Sequence, residues 1–240
     1  MKVFCDLHIH SALSPCGDMD MTPNNIVGMS VLKGLNFIAI TDHNTIGNVR
    51  AVMKCAEGSP LTVIPGMELE TAEEAHFVCL FENIEMAEEF YEWSLKFFSG
   101  IKNREDIFGK QAYMDENDEI TGHEEQMLVS ALSCSIYDVV PKIREIGGII
   151  IPAHVDKSSY SIISNLGVLP EDLGFKTVEI SKNTDIEHVL MKFPYLSDKL
   201  IITSSDSHYL GDIYETEGEI DIEENTISAL FKRLRGENFD

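Results

Sequence analysis

The sequence has no long apolar run. Its longest ones, GIIIPA at residues 148–153 and LIIT at residues 200–203, are strand-sized, whereas a helix needs about 20 apolar residues to span a bilayer. The opening stretch, MKVFCDLHIH, has one lysine, no extended apolar segment and no small-residue cleavage site. It therefore predicts no secretory leader, and no membrane partner is expected.

Paired cysteines and nucleotide-binding loops are also missing. The five cysteines are scattered and form no C-x-x-C, which argues against a disulfide framework and favours a reducing compartment, the cytoplasm. No G-x-G-x-x-G follows the first apolar run and no G-x-x-x-x-G-K-[ST] occurs. These absences argue against a nucleotide-cradling fold.

Basic residues are few. Lys and Arg number 18 against 41 Asp and Glu, which gives a formal net charge of −23. Such a chain repels polyanions, so tight binding of long nucleic acid is not expected. We predict that most of these carboxylates are solvated surface groups, and that a few hold divalent cations and so create a local positive site.

The sequence does contain a regular alternation of strand-like and helical segments. With 240 residues, 44% of them apolar, the chain can bury a sizeable core, and we predict one domain over residues 1–240. About seven β-like runs are separated by amphipathic segments, which is typical of a mostly parallel sheet with helical crossovers. The polar, acidic residues 100–135 interrupt the pattern and predict an inserted helical and acidic excursion.

The residues that end the apolar runs indicate function. Five runs stop at side chains that bind metals or exchange protons. In chain order these are His8 and His10, Asp42 with His43, Glu68, His154, and Asp206 with His208. In a parallel barrel the carboxyl ends of the strands meet at one face, where catalytic residues collect. We therefore expect these side chains to share a pocket.

The spacing within two of these runs supports a shared pocket. His8 and His10 are two residues apart, so on a regular strand both imidazoles point to the same side. Asp206 and His208 repeat the arrangement. Because crowded carboxylates raise one another's pKa values unless cations offset them, we expect two or three divalent ions. A mixed set of imidazoles and carboxylates suits Zn, Mn or Fe without choosing among them.

The expected group of adjacent metal ions is suited to hydrolysis. Two ions about 4 Å apart can generate a hydroxide at neutral pH and clamp a phosphate oxygen. The expected chemistry is metal-assisted hydrolysis of a phosphoester. The expected substrate is a small phosphomonoester or a short nucleotide or oligonucleotide.

Five short motifs occur in an order that resembles a known family. They are DLHIHS, AITDHNT, PGMELE, PAHVD and SSDSH, and together they are similar to the polymerase and histidinol phosphatase (PHP) domain family over about residues 3–210. The resemblance implies an α/β fold, a distorted TIM-like (β/α)7 barrel, holding a three-metal cluster. Members of the family include histidinol phosphate and nucleotide phosphatases, nucleases, and domains of bacterial DNA polymerases.

The resemblance also implies a set of metal ligands, divided among three ions. The first ion would be held by His8, His10, Glu68 and Asp206, the second by Glu68, His76 and His154, and the third by Asp18, His43 and His208. A hydroxide bridging two ions would attack phosphorus. Asp206, Glu68 and His208 would act catalytically through the ions.

Three positions depart from the family pattern. The aspartate that usually follows H-x-H-S arrives about three residues late, because the turn reads SPCGD; Asp18 is the first choice, Asp20 the alternative and Cys16 a third. His76 stands at the start of its apolar run rather than at its end. Lys157 takes the place of a usual arginine, and we expect it to contact phosphate as a point charge without a bidentate fork.

Three functions are compatible with these observations. The leading one is a metal-dependent phosphoric ester hydrolase. The alternative is a non-catalytic, metal-binding regulatory module on the same fold, and a third is hydrolysis of a carbon–nitrogen bond, which metal barrels also support. The sequence specifies neither the physiological substrate nor the metal nor the oligomeric state.

Overall fold

Ten strands and eight α-helices make up the part of the chain that the computed structural model describes, residues 1–237. The strands are β1 Lys2–Ile9, β2 Phe37–Ile40, β3 Thr62–Glu70, β4 His76–Leu80, β5 Ala112–Met114, β6 Ile120–His123, β7 Ile149–Pro152, β8 Thr177–Ser181, β9 Leu200–Ser204 and β10 Glu219–Asp221. The helices are α1 Pro23–Leu32, α2 Val49–Cys55, α3 Ile84–Ser94, α4 Glu105–Phe108, α5 Ile136–Ile146, α6 Ile162–Leu166, α7 Ile186–Lys192 and α8 Ile227–Leu234.

A curled sheet forms the frame of the molecule. Six strands associate in the order β10–β1–β2–β3–β4–β7, while β8 pairs with β9 in parallel. The β8–β9 pair lies between the two ends of the curl: Ser207, after β9, bridges Ile9 of β1, and the Val155 N–H, after β7, donates to Glu179 O of β8 at 2.9 Å. The prediction of a distorted α/β barrel is confirmed.

Strand β4 runs against its neighbours. It pairs antiparallel with both β3 and β7, whereas β1, β2 and β3 are parallel. Its first residue, His76, therefore pairs with Glu70, the last residue of β3. The reversal explains why His76 begins an apolar run and still lies at the same edge of the sheet as the residues that end other runs.

Two apolar clusters lie on opposite faces of the sheet. Residues from strands on opposite sides of the curl, such as Leu7 of β1 and Ile151 of β7, meet in one cluster, which α8 completes with Phe231. The alternating residues on the other face, such as Ile38, pack against α1, α2, α3 and α5. Burial of this apolar area stabilises the barrel by roughly 25 cal/mol per Å².

The helix boundaries follow local sequence signals. Thr22 caps α1 by accepting the Asn25 N–H at 3.4 Å, with Pro23 as the first helical residue, as the sequence predicts. Helix α5 begins with a capping box formed by Ser135 and Asp138 and ends at Gly147, whose φ of +87° suits glycine.

Residues 100–135 form the expected excursion, but little of it is helical. It contains the four-residue helix α4 and the hairpin β5–β6. Two asparagines dock it onto the segment that follows β2: Asn48 Nδ2 donates to Ala112 O at 3.1 Å, and Asn44 Nδ2 donates to Leu128 O at 2.8 Å. The excursion therefore packs beside the residues that end β2.

No helix within residues 1–237 is both long and apolar enough to cross a membrane. All five cysteines are free thiols.

Gly218 tests how tightly β10 is held against β1. A Cβ at this position would lie 1.8 Å from the backbone oxygen of Cys5, whose N–H donates to Gly218 O at 2.8 Å. Since backbone atoms move less easily than side chains, we expect Gly218→Ala to lower the free energy of unfolding by about 1–3 kcal/mol in urea denaturation.

Gly28 in α1 provides the matched control. Nothing lies within 4 Å of a Cβ built there, so Gly28→Ala is expected to raise the free energy of unfolding by about 0.5–1 kcal/mol. Equal effects of the two substitutions would contradict the close approach of β10 to Cys5.

Candidate metal centre

A buried carboxylate, Glu68, lies at the centre of a group of imidazoles. Its side chain is 1% exposed. The acidic and imidazole side chains around it come from the ends of β1, β2, β7 and β9 and from the start of β4, and they are His8, His10, His43, His76, His154 and Asp206. His208 lies beside His10, with 4.3 Å between the ring centroids. The structure thus brings together every predicted metal ligand except Asp18.

The two oxygens of Glu68 face different ring nitrogens. Oε1 lies 3.3 Å from His8 Nε2, 2.8 Å from His76 Nδ1 and 3.2 Å from His154 Nε2. These three rings come from three different strands or the residues that follow them, and all contact the same oxygen.

The second oxygen and Asp206 complete the group. Glu68 Oε2 lies 3.4 Å from His10 Nε2 and 3.0 Å from His43 Nδ1. Asp206 Oδ1 lies 3.5 Å from His8 Nε2 and 3.3 Å from His10 Nε2. One carboxylate therefore joins two sets of nitrogen ligands.

These separations fit shared cations. Nitrogen and oxygen ligands about 2.1 Å from one ion lie about 3.0–3.4 Å from each other. Several of the atoms are buried without a hydrogen-bond partner in residues 1–237; they are His8 Nε2, His10 Nε2, His43 Nδ1 and Glu68 Oε2. Leaving such an atom unsatisfied costs about 1–3 kcal/mol, and a divalent ion would satisfy several of them at once.

Hydrogen bonds fix the tautomer of the first two histidines. His8 Nδ1 donates to Glu179 Oε1 at 3.0 Å. Ser14 Oγ donates its only hydrogen to Asp42 Oδ1 at 2.7 Å, so it accepts from His10 Nδ1 at 3.0 Å. Both Nε2 atoms therefore face the cluster, the orientation that metal-binding histidines require.

A second cluster of ligand-type residues lies next to Glu68. Ligand atoms of His10, Cys16, His43 and His208 all lie within 4.8 Å of one another. Burial raises the pKa of the Cys16 thiol, but hydrogen bonds with His208 and His43 outweigh burial and lower that pKa to about 7. Cys16, the third choice in the sequence, is therefore the residue of the SPCGD turn that joins the histidines.

Asp18 and Asp20 lie apart from this cluster. Neither belongs to any group of metal-ligand atoms found within residues 1–237. Asp18 Oδ1 accepts the Asp20 N–H at 2.8 Å, and Asp20 is exposed. The local reason is the turn itself, which hydrogen-bonds one aspartate to the other and presents Cys16 to the histidines.

Opposite charges balance inside the cluster. Burial raises the pKa of Glu68, but His76 and the other nearby histidines outweigh it and hold that pKa well below its usual range. Burial lowers the pKa of His8, but Glu179 and the other carboxylates raise it well above normal. The pKa of His43 is also raised, against burial, by Glu68. Cations entering the cluster would displace protons from these histidines.

Two of these residues sit in strained backbone. His154 has a φ of +32° and Asp206 a φ of +51°, a region that side chains other than glycine rarely adopt. Such strain, of order 1–3 kcal/mol per residue, concentrates at functional sites. Both residues follow the ends of their strands, where His154 Nε2 contacts Glu68 and Asp206 Oδ1 contacts His8 and His10.

The cluster opens into a pocket of about 300 Å³. It is lined by Cys16, His43, Glu68, Glu70, His76, Val129, His154, Lys157, Ser159, Tyr160, Asp206 and His208. Lys157 is the only lysine or arginine among the described residues that line it, and its Nζ lies 2.6 Å from Asp206 Oδ2. Tyr160, 53% exposed, stacks on His76 with 4.9 Å between centroids. A larger cavity of about 390 Å³ near Arg144 has no acidic or histidine lining.

Several supporting residues were not predicted from the sequence. Glu179 lies in the middle of β8 and is 1% exposed, and a carboxylate inside the apolar run TVEIS is a signal that could have found it, since a buried charge needs a partner. Asn44 and Asn48 gave no such signal, because their partners are backbone atoms of the distant excursion.

With this geometry in place, comparison with known proteins identifies the family. The family model of the PHP domain matches residues 6–168, more than half of the chain, and the protein belongs to the PHP domain family. Uncharacterized protein MJ1587 from Methanocaldococcus jannaschii is 36% identical over 76 residues, which cover 28% of this chain and 44% of that protein.

Solved structures show the same fold. The lesion-specific endonuclease PfuEndoQ from Pyrococcus furiosus superposes with a TM-score of 0.74 at 19% identity, over 98% of this chain and 56% of its own. An endonuclease Q complex with a 27-mer duplex substrate, with an abasic lesion at the active site, gives 0.72 at 19% identity, over 98% and 57%. A proposed metal-dependent phosphoesterase from Bifidobacterium adolescentis gives 0.62 at 16% identity, over 98% and 96%. This chain thus spans about half the length of endonuclease Q.

Proton release tests the charge balance of the cluster. Because the pKa values of His8 and His43 are raised, both rings hold a proton to higher pH in metal-free protein than an ordinary imidazole does, and metal binding must displace that proton. We expect zinc added at neutral pH to release protons, detected with an indicator dye in weak buffer. The release should shrink, and zinc affinity should rise, as pH increases through the raised pKa values. Release that is independent of pH would contradict the protonated state.

Substitution of Glu179 tests whether its carboxylate supports His8 as a metal ligand. We expect Glu179→Gln to lower metal affinity about 10–100-fold, because the amide no longer holds the Nδ1–H with a charge. Competition with a chromophoric chelator measures the affinity. Glu187→Gln, which changes an exposed residue of α7, is the control and should bind metal normally. Equal affinities of the two variants would show that Glu179 does not support the ligand.

Proposed function

We propose that this protein is a metal-dependent phosphoesterase whose active site is the cluster around Glu68. The observation that carries the proposal is the ring of imidazole nitrogens 2.8–3.4 Å from the buried Glu68 carboxylate, several of them without another partner. A structural core gains nothing from so many unsatisfied polar atoms. A metal centre requires them.

The proposed ions are two or three divalent cations, with Zn, Mn and Fe all compatible with the ligands around Glu68. The first would be held by His8, His10, Glu68 and Asp206, and the second by Glu68, His76 and His154. The third would be held by His43 and His208 together with a residue of the SPCGD turn. When bound, such ions supply Lewis acidity and lower the pKa of water toward neutrality.

The protein's own groups would position the substrate. Lys157 stands beside Asp206 at the pocket. Burial lowers the pKa of Lys157, but Asp206 outweighs it and raises that pKa above its usual value, so the ammonium stays charged and can contact a phosphate oxygen. Glu179 and Ser14 hold His8 and His10 in orientation. The exposed ring of Tyr160 offers a flat surface for the leaving group.

The pocket supports a small or short substrate. Its volume of about 300 Å³ admits a phosphate with part of its leaving group, and the net charge of −23 opposes long polyanions. Endonuclease Q acts on lesion-containing duplexes, but this chain spans only about half of it. We therefore propose phosphomonoesters, nucleotides or short oligonucleotides as substrates. A non-catalytic module is not favoured, because the ligand cluster is retained.

A substrate panel with reconstituted metal tests the proposal. We expect zinc- or manganese-loaded protein to hydrolyse aryl phosphates, a nucleoside 3′,5′-bisphosphate or short oligonucleotides, and to leave aryl amides intact. Asp206→Asn should reduce turnover by about 10²–10³-fold, while Glu88→Gln, which changes an exposed carboxylate paired with Arg50, should not. Preference for amides, or no metal-dependent turnover on any phosphoester, would refute the proposal.

Lys157→Ala tests phosphate contact separately from metal binding. We expect KM to rise about 10-fold for phosphate substrates, with metal content unchanged, because a charge-assisted contact contributes about 1.5–3 kcal/mol at most. Lys102→Ala, which changes an exposed lysine of the excursion paired with Glu125, is the control. A fall in metal content instead of a rise in KM would assign Lys157 a structural role through Asp206.

A further inference from the structure

We propose that Cys16 is a thiolate ligand which, together with His43 and His208, holds a zinc ion at the mouth of the pocket. The inference rests on the metal centre proposed above, but it changes the chemical character of one of its positions. An aspartate there would give an oxygen ligand. Cys16 makes the position a site for a soft metal.

The loop that carries Cys16 is held against the strand end that carries His208. The Ser14 N–H donates to Ser11 O at 3.1 Å and the Gly17 N–H to Ser14 O at 2.8 Å, and the Asp18 N–H donates to His208 O at 2.9 Å. A Cβ at Gly17 would lie 2.5 Å from Ser11 O. The turn is therefore tight, and Cys16 is positioned by backbone contacts on both sides.

The neighbours of Cys16 are those of a ligand site rather than of a packed thiol. Cys16 lies within 4.8 Å of ligand atoms of His43 and His208. His43 is 7% exposed, and its Nδ1 has no hydrogen-bond partner within the described residues. His208 Nδ1 donates to Asp206 O at 2.8 Å, so Nε2 is the ring nitrogen that remains to bind an ion.

The donor set selects among metals. Two imidazoles and a thiolate form an N₂S set, which zinc binds well and which magnesium and manganese bind poorly. Three protein ligands leave a fourth position for water or a phosphate oxygen, as in catalytic zinc sites. The positions around Glu68, built from imidazoles and carboxylates, make no such selection. The thiolate therefore gives this centre one zinc-selective position.

Cobalt substitution tests the ligand directly. We expect cobalt-loaded protein to show a thiolate-to-cobalt charge-transfer band in the near ultraviolet. Cys16→Asp should keep the cobalt content but lose the band, and Cys16→Ala should lose the band together with about one ion per chain. Cys55→Ser, which changes a half-buried cysteine outside the cluster, should retain both. A wild-type spectrum without the band at full loading, or a band that survives in Cys16→Asp, would overturn the proposal.

Thiol labelling gives a second measure without turnover. We expect zinc to slow alkylation of Cys16 by N-ethylmaleimide at least about 10-fold, read by peptide mass spectrometry, because a metal-bound thiolate is a weaker nucleophile. The rate at Cys55 should not change. Equal rates at Cys16 with and without zinc would overturn the ligand assignment.

The two proposals fail separately in these experiments. A charge-transfer band and zinc protection in a protein that cleaves no phosphoester would keep Cys16 as a ligand and refute the proposed function. Turnover without a band or protection would keep the function and refute the thiolate.

Discussion

The buried carboxylate of Glu68 is the constraint on which the rest of the site depends. An isolated buried charge costs several kcal/mol, and here imidazoles supplied by several strand ends surround it. Because the charge is balanced only when these strands end at one point, register errors in any of them would leave a buried charge unpaired. The reversed strand β4 meets the same constraint, because His76 is its first residue and lies at the edge of the sheet where the other strands end.

The cost of assembling this site is offset by the apolar clusters that the barrel buries. Positive φ angles at His154 and Asp206 and a buried polar chain from Asp42 through Ser14 to His10 contribute little apolar burial. Burial of the apolar cluster completed by α8 supplies stability instead. Stability thus comes chiefly from the apolar clusters, so the polar residues around Glu68 can keep unsatisfied atoms for ligands.

Sequence periodicity predicts the fold better than it predicts the details of the site. The strand-end residues from His8 to His208 could be found because strands of a barrel end at a common face, and the family and the barrel are confirmed. The sequence named Cys16 only as the third choice after Asp18 and Asp20, because a turn of a few residues sets which side chain reaches the histidines. Glu179 and the asparagines that dock the excursion were missed because their partners are distant in sequence. A local sequence pattern does not show which distant residues form hydrogen bonds with each other.

In the proposed function, the acidic surface and the metal centre would act on a substrate over different distances. Charges on the surface are screened beyond about 10 Å at ordinary ionic strength. A short substrate in the pocket would therefore interact electrostatically chiefly with Lys157 and any bound cations. A long nucleic acid would extend past the pocket and place further phosphates against a chain of net charge −23. Discrimination by length would then come from the surface rather than from the pocket. Higher salt should weaken that discrimination, because it screens the repulsion outside more than the attraction inside.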